Sequence, residues 1–98
     1  MKKLVHLSIK GRVQGVGYRA FVELEAELRG LEGWVRNRRD GSVEAVVQGE
    51  QDVVDGLIEA CRKGPPSSQV ISIDASDADP EALSLRSAGE KFAVLPTV

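Results

Sequence analysis

Arg19 closes a run, GRVQGVGYR (residues 11–19), that places Gly11, Gly15 and Gly17 within nine positions. Glycine has no Cβ, so successive backbone N–H groups can converge on one point. A concave set of such groups binds an oxyanion. The start of a following helix adds unsatisfied N–H donors and partial positive charge. An arginine in the first helical turn adds a planar fork matched to phosphate oxygens. Spacing alone leaves two readings level: a phosphate cradle, and a tight strand-to-helix turn with a solvated arginine. The run is not a nucleotide P-loop, because the Lys and the hydroxyl of G-x-x-x-x-G-K-[ST] are missing. It also lacks the glycine spacing and the ribose-binding acid of a dinucleotide site. Asn37 is the second polar group of interest, although NRRDG by itself reads as a strand end opening a turn.

The elements that must position these groups follow from periodicity. LVHLSIK (4–10) alternates, with Val5, Leu7 and Ile9 on one side and His6, Ser8 and Lys10 on the other, which predicts a half-buried strand. YRAFVELEAELRG predicts a helix with Phe21, Leu24 and Leu28 as its apolar row, stopped by Gly30. GWVRNRRDGSVEAVVQG reads as a hairpin around Asp40-Gly41. Val43, Ala45 and Val47 form the buried alternation of its second strand, and Trp34 and Arg36 face away from Val35 and Asn37. EQDVVDGLIEACRKG is the clearest helix, with Val53, Val54, Leu57, Ile58 and Cys61 in one stripe. Acids at its start and Arg62-Lys63 at its end suit the helix dipole. QVISIDA predicts a strand with Ile71, Ile73 and Ala75 on one side. SDADPEALSLRSAGE reads as a surface loop with one helical turn, and KFAVL as a short last strand. The order β-α-β-β-α-β plus an edge strand predicts an α+β, ferredoxin-like sandwich, with both helices on one sheet face and solvent on the other.

Composition bounds the rest. Ninety-eight residues with 42% apolar and 29% charged side chains fit one globular domain over residues 1–98. A net charge of −2 and four aromatic residues argue against nucleic-acid binding. No stretch approaches the eighteen apolar residues of a membrane span. One cysteine and one histidine make neither an internal disulfide nor a zinc site. No metal, no cofactor, no membrane contact, a monomeric state and a cytoplasmic location are the resulting expectations. His6 reads as a surface residue and Cys61 as a core thiol. Arg36, Arg38 and Arg39 read as a solvated hairpin end interrupted by Asp40 and Glu44, raising the local positive potential. Asp74, Asp77, Asp79 and Glu81 lack the fixed Gly and terminal Glu of a calcium loop.

Two blocks at the right separation, GRVQGVGYR and GLEGWVRNRRDGSVEAVVQG, resemble the acylphosphatase family. Each is complete, the helix ending in KGPP also matches, and the similarity spans roughly residues 5 to 75. The resemblance implies the same sandwich and hydrolysis of the carboxyl–phosphate bond of small acyl phosphates. It implies that Arg19 holds the phosphate and that Asn37 positions the attacking water. Amides around Gln14, Gly15, Val16, Gly17 and Tyr18 complete the implied cradle. A carboxylate leaves readily, so no strong general acid is needed, and catalysis reduces to positioning and charge stabilisation. The competing expectation is a non-catalytic module of the same fold that binds acyl phosphate, carbamoyl phosphate or a small anion.

Overall fold

The computed structural model describes residues 1–98. The elements are β1 (Lys2–Arg12), α1 (Tyr18–Leu28), β2 (Glu32–Asn37), β3 (Val43–Glu50), α2 (Gln51–Lys63), β4 (Gln69–Asp77), a 3₁₀ turn at Pro80–Leu85, and β5 (Phe92–Val94). They form a five-stranded sheet in the order β4-β1-β3-β2-β5. All neighbours are antiparallel except β2 and β5, which run parallel. This is the ferredoxin-like α+β sandwich expected from the element order. No helix is long and apolar enough to cross a membrane.

The main core lies between the helices and one sheet face. Val5, Leu7 and Ile9 of β1, Val35 of β2, and Val43, Ala45 and Val47 of β3 meet Val54, Leu57, Ile58 and Cys61 of α2 there. Strand alternation and the α2 stripe predict this set directly. Gly30 (φ 68°) and Gly64 (φ 65°) follow the two helices with positive φ angles that favour glycine.

Three expectations are corrected. The first concerns α1, whose buried face is Tyr18, Val22 and Ala26. Phe21 only flanks the core, and Leu24 and Leu28 are exposed. The buried set is an i, i+4 row, whereas Leu24 and Leu28 point more than a quarter-turn away from it. Tyr18 decides the rotation, because its ring is buried and its hydroxyl is bonded into the core.

The second concerns β4. Ile71 is 79% exposed, while Val70 and Ile73 pack against the core. Lys10 pairs with Ser72 but Gly11 pairs with Val70, so Ile71 is the extra residue of a β-bulge. Gly11 makes the bulge possible: at φ 131°, a Cβ there would lie 2.2 Å from the Gln69 carbonyl oxygen.

The third concerns the second sheet face, which is not simply solvated. Trp34, Val46 and Ala93 are buried there beneath Leu4, Ala78, Ala82, Leu83 and Leu95. The Trp34 indole donates to the Ala82 carbonyl at 2.7 Å. The segment expected as a surface loop is therefore the lid of a second, smaller core.

Candidate active site

The loop between β1 and α1 is built to leave its donors free. Gly15 (φ 73°) and Gly17 (φ 80°) adopt backbone angles that favour glycine, although space for a Cβ exists at both. The backbone path, not crowding, therefore selects them. Gly11 belongs to the bulge rather than to this loop's interior. Val13, 1% exposed, pins the start of the loop in the core, and Tyr18 pins its end. The Tyr18 hydroxyl donates to the Cys61 carbonyl at 2.6 Å, tying the start of α1 to the end of α2. Burial raises the Tyr18 phenol far above its ordinary range and pushes the Cys61 thiol up to about 11. Both groups thus stay neutral and structural.

Between these pins, no amide of Gln14, Gly15, Val16 or Gly17 is donated to a backbone acceptor. Gly17 is the N-cap of α1 and no side chain caps that end. The first-turn amides of a helix have no acceptor within it, so the loop and helix start present a row of unsatisfied donors.

Arg19 stands on the first turn of α1. The guanidinium ion pairs of this chain involve Arg29, Arg36, Arg38, Arg62 and Arg86, which leaves Arg19 without an acidic partner. Asn37 ends β2, and Asn37 Oδ1 is the one buried side-chain polar atom with no hydrogen-bond partner. An unsatisfied buried acceptor costs about 1–3 kcal/mol, so a missing partner belongs there. Gly15, Gly17, Tyr18, Arg19 and Asn37 line one cavity of about 390 Å³. Val13, Ala20 and Val94 give it an apolar wall, and Glu23 lies one helical turn beyond Arg19.

Gln14 and Val16 do not line this cavity. Val16 packs against the core. The Gln14 side-chain amide donates to the carbonyls of Arg38 (2.7 Å) and Ser42 (2.8 Å). It is a tether between the glycine loop and the hairpin that carries Asn37. The hairpin turn is itself closed locally, where Asp40 Oδ1 accepts from the Ser42 amide (2.9 Å) and hydroxyl (2.6 Å). Those two bonds hold the Asp40 carboxyl below its usual range.

The chain beyond β5 also reaches the site. Leu95 donates to the Val35 carbonyl (2.9 Å), Val98 to the Asn37 carbonyl (3.2 Å), and Arg39 to Val98 (2.9 Å). Sequence reasoning missed Glu23, Val94 and this tail. Glu23 lies at i+4 from Arg19 and was findable on that spacing. Val94 and the tail depend on a parallel pairing with β2 that no local signal encodes.

The expected solvated hairpin end, with its raised positive potential, is also corrected. Arg36 and Arg38 are not a free positive surface, because both donate to Glu44 Oε1, at 2.7 and 3.1 Å. His6 Nε2 lies 2.6 Å from Glu44 Oε2. Burial would raise the Glu44 carboxyl, but the bonds from His6, Arg36 and Arg38 outweigh it and hold it at about 2.

Known proteins resemble this chain along its whole length. The acylphosphatase family model matches residues 5–92. An acylphosphatase of Bradyrhizobium diazoefficiens is 57% identical over 97 residues, covering 99% of this chain and 98% of its own. The crystal structure of acylphosphatase from Bacillus subtilis superposes with a TM-score of 0.82 at 35% identity, over 97% of this chain and 99% of that one. Full-length HypF, in its phosphate- and nucleotide-bound form, matches with a TM-score of 0.83 at 25% identity over 99% of this chain, but only 12% of its own. Sequence, fold and the paired motifs agree, and the chain belongs to the acylphosphatase family.

Proposed function

We propose that this cavity hydrolyses the carboxyl–phosphate bond of acyl phosphates, releasing a carboxylate and inorganic phosphate. The observation that carries the reading is the meeting of three unsatisfied features in one cavity: the free loop amides, the unpaired Arg19 and the orphan Asn37 Oδ1. The substrate phosphate accepts hydrogen bonds from the amides of Gly15, Gly17 and Tyr18, the loop residues that line the cavity, and from the Arg19 guanidinium. These fixed donors stabilise charge on the transferring phosphoryl group without reorganising. The acyl group lies outward, against Ala20 and Val94.

Asn37 Oδ1 accepts a hydrogen bond from the attacking water and aims its oxygen at phosphorus, opposite the departing carboxylate. Bond making to water oxygen and bond breaking to carboxylate oxygen are then in line. The water's proton passes to a phosphate oxygen, and the carboxylate leaves unprotonated. Arg19 and the amides supply the positive charge in this scheme, so no bound cation takes part. We extend the reading to a monomeric cytoplasmic enzyme with one domain over residues 1–98. One continuous core of seventeen buried residues that draws on both helices, and a single buried thiol, support that extension.

The test is release of phosphate from benzoyl phosphate in excess chelator, for the wild type and Arg19→Ala. Wild-type turnover that collapses in the variant is the expected result. Saturable phosphate binding without any turnover would instead assign a binding module, and normal hydrolysis by Arg19→Ala would remove Arg19 from the mechanism.

A further inference from the structure

Asn37 has two arginine neighbours in sequence, and their side chains leave β2 away from the cavity. Arg36 lies directly across from Glu44 in the β2–β3 register. One oxygen of Glu44 takes the Arg36 Nε–H at 2.7 Å and the Arg38 Nη1–H at 3.1 Å. The other oxygen meets His6 Nε2 at 2.6 Å. His6 reaches it diagonally, because Ser8 is the direct β1 partner of Glu44. The Glu44 and Arg36 side chains are only 13% and 16% exposed, so solvent screens this pairing little. Arg36 is fixed further by stacking, with its Cζ 4.6 Å from the Trp34 ring centroid. Residues 36 and 38 are thus held by one carboxylate while residue 37 faces the other way.

We propose that Glu44 is a positioning residue for the reaction: from the far side of the sheet it grips the two arginines that bracket Asn37, and so sets the strand end that presents Asn37 to the attacking water. This rests on the roles given above to Arg19 and Asn37. The cavity side supplies the opposing hold, where the Gln14 side chain binds the Arg38 and Ser42 carbonyls and Val98 binds the Asn37 carbonyl. Asn37 Oδ1 has no partner of its own to orient it, so its direction depends on the backbone that carries it. A side chain oriented only through its backbone is sensitive to small shifts, and misplacement by about 1 Å can cost on the order of 10² in rate. Phosphate binding shares this dependence only weakly, because Arg19 lies on α1 and the glycine loop meets the hairpin through the Gln14 tether alone. His6 completes the clamp by occupying the second Glu44 oxygen, which prevents the carboxylate from turning off the arginines.

The experiment is a double-mutant cycle between Glu44→Ala and Asn37→Ala, reading kcat, KM and inhibition by inorganic phosphate well below the melting midpoint. Glu44→Ala is expected to lower kcat about tenfold while KM and phosphate inhibition stay within twofold. In the Asn37→Ala background the same change is expected to lower kcat no further, because its route of action is gone. An equal loss of kcat in both backgrounds overturns the proposal. So does a lowered melting midpoint with unchanged kcat, which is the mark of a purely structural ion cluster. Should Glu44→Ala not fold, Arg38→Met removes one arm of the clamp and is expected to show the same pattern at smaller amplitude; unchanged kcat there overturns it. If Asn37→Ala itself leaves kcat intact, the water-positioning reading fails first, so the two failures are distinguishable.

Discussion

The two faces of β2 carry polar groups of opposite character. On the helix face, Asn37 Oδ1 is buried without a partner, and it shares a cavity with an unpaired arginine. On the other face, the charges flanking Asn37 are fully engaged: Arg36, Arg38 and His6 all meet Glu44, and the Trp34 indole meets Ala82. Both faces belong to the same strand, and each has a buried cluster nearby. The difference shows where this fold keeps free energy unclaimed. Satisfied polar groups hold the strand in place, and unsatisfied ones wait for a ligand to complete them.

The sharpest way to break this contrast is Arg19→Ala. Turnover is expected to fall by at least ~10²–10³, the loss typical of one preorganised donor at a reacting oxyanion. The melting midpoint should barely move, because Arg19 has no partner to abandon. Inorganic phosphate is expected to raise the midpoint of the wild type by binding the folded state, and not to raise that of the variant. A large loss of stability would place Arg19 among the satisfied groups instead.

Asn37→Ala comes next, with kcat expected to drop on the order of 10²-fold through lost alignment of the water. Phosphate should still raise its melting midpoint. Loss of that shift with kcat unchanged would turn Asn37 into a phosphate ligand.

Tyr18→Phe probes a satisfied group beneath the same loop. It removes the bond to the Cys61 carbonyl and leaves a buried acceptor, at a cost of about 1–3 kcal/mol. The midpoint should fall by roughly 4–8 °C per kcal/mol, with kcat nearly unaltered. Trp34→Phe tests the far face through the lost bond to Ala82 and the space left by the smaller ring; the expected cost is about 1–3 kcal/mol, again without a change in phosphate inhibition.

The smallest effect is in acid. Glu44 is held at about 2, below its ordinary value near 4.5. Its contribution to stability is therefore present above pH 4.5 and is lost as pH falls toward 2. Glu44→Gln should lower the urea midpoint at neutral pH, converge with the wild type as pH falls toward 2, and so flatten that part of the profile. An unchanged acid limb would mean that Glu44 is not engaged in solution.

Much of the site was legible because its signals are local. The glycines at 15 and 17 announce positive backbone angles, and the structure uses them so. Asp40-Gly41 marks the hairpin that puts Asn37 at a strand end. The apolar stripe of α2 appears as buried residues except Val53, which only flanks the core. Other readings failed where packing overrode pattern. Leu24 and Leu28 are more apolar than Tyr18 and Ala26, yet the buried hydroxyl bond of Tyr18 and the small side chain of Ala26 set which face of α1 docks. Ile71 follows perfect alternation with Ile73, but a one-residue bulge opposite Gly11 turns it outward. Glu44 looked like an interruption in a basic run, because its three partners come together only across β1, β2 and β3.

The amino-acid order alone determined which segments form strands and helices, where glycine must bend the chain, and that Arg19 begins a helix with uncapped amides. Those properties depend on neighbours a few residues apart. Only the tertiary structure brought Arg19 and Asn37 to one cavity, laid the 95–98 tail along β2, and closed Glu44 on both arginines. Each of these depends on strand register and helix rotation, and both are settled by which buried surfaces fit together across the whole fold.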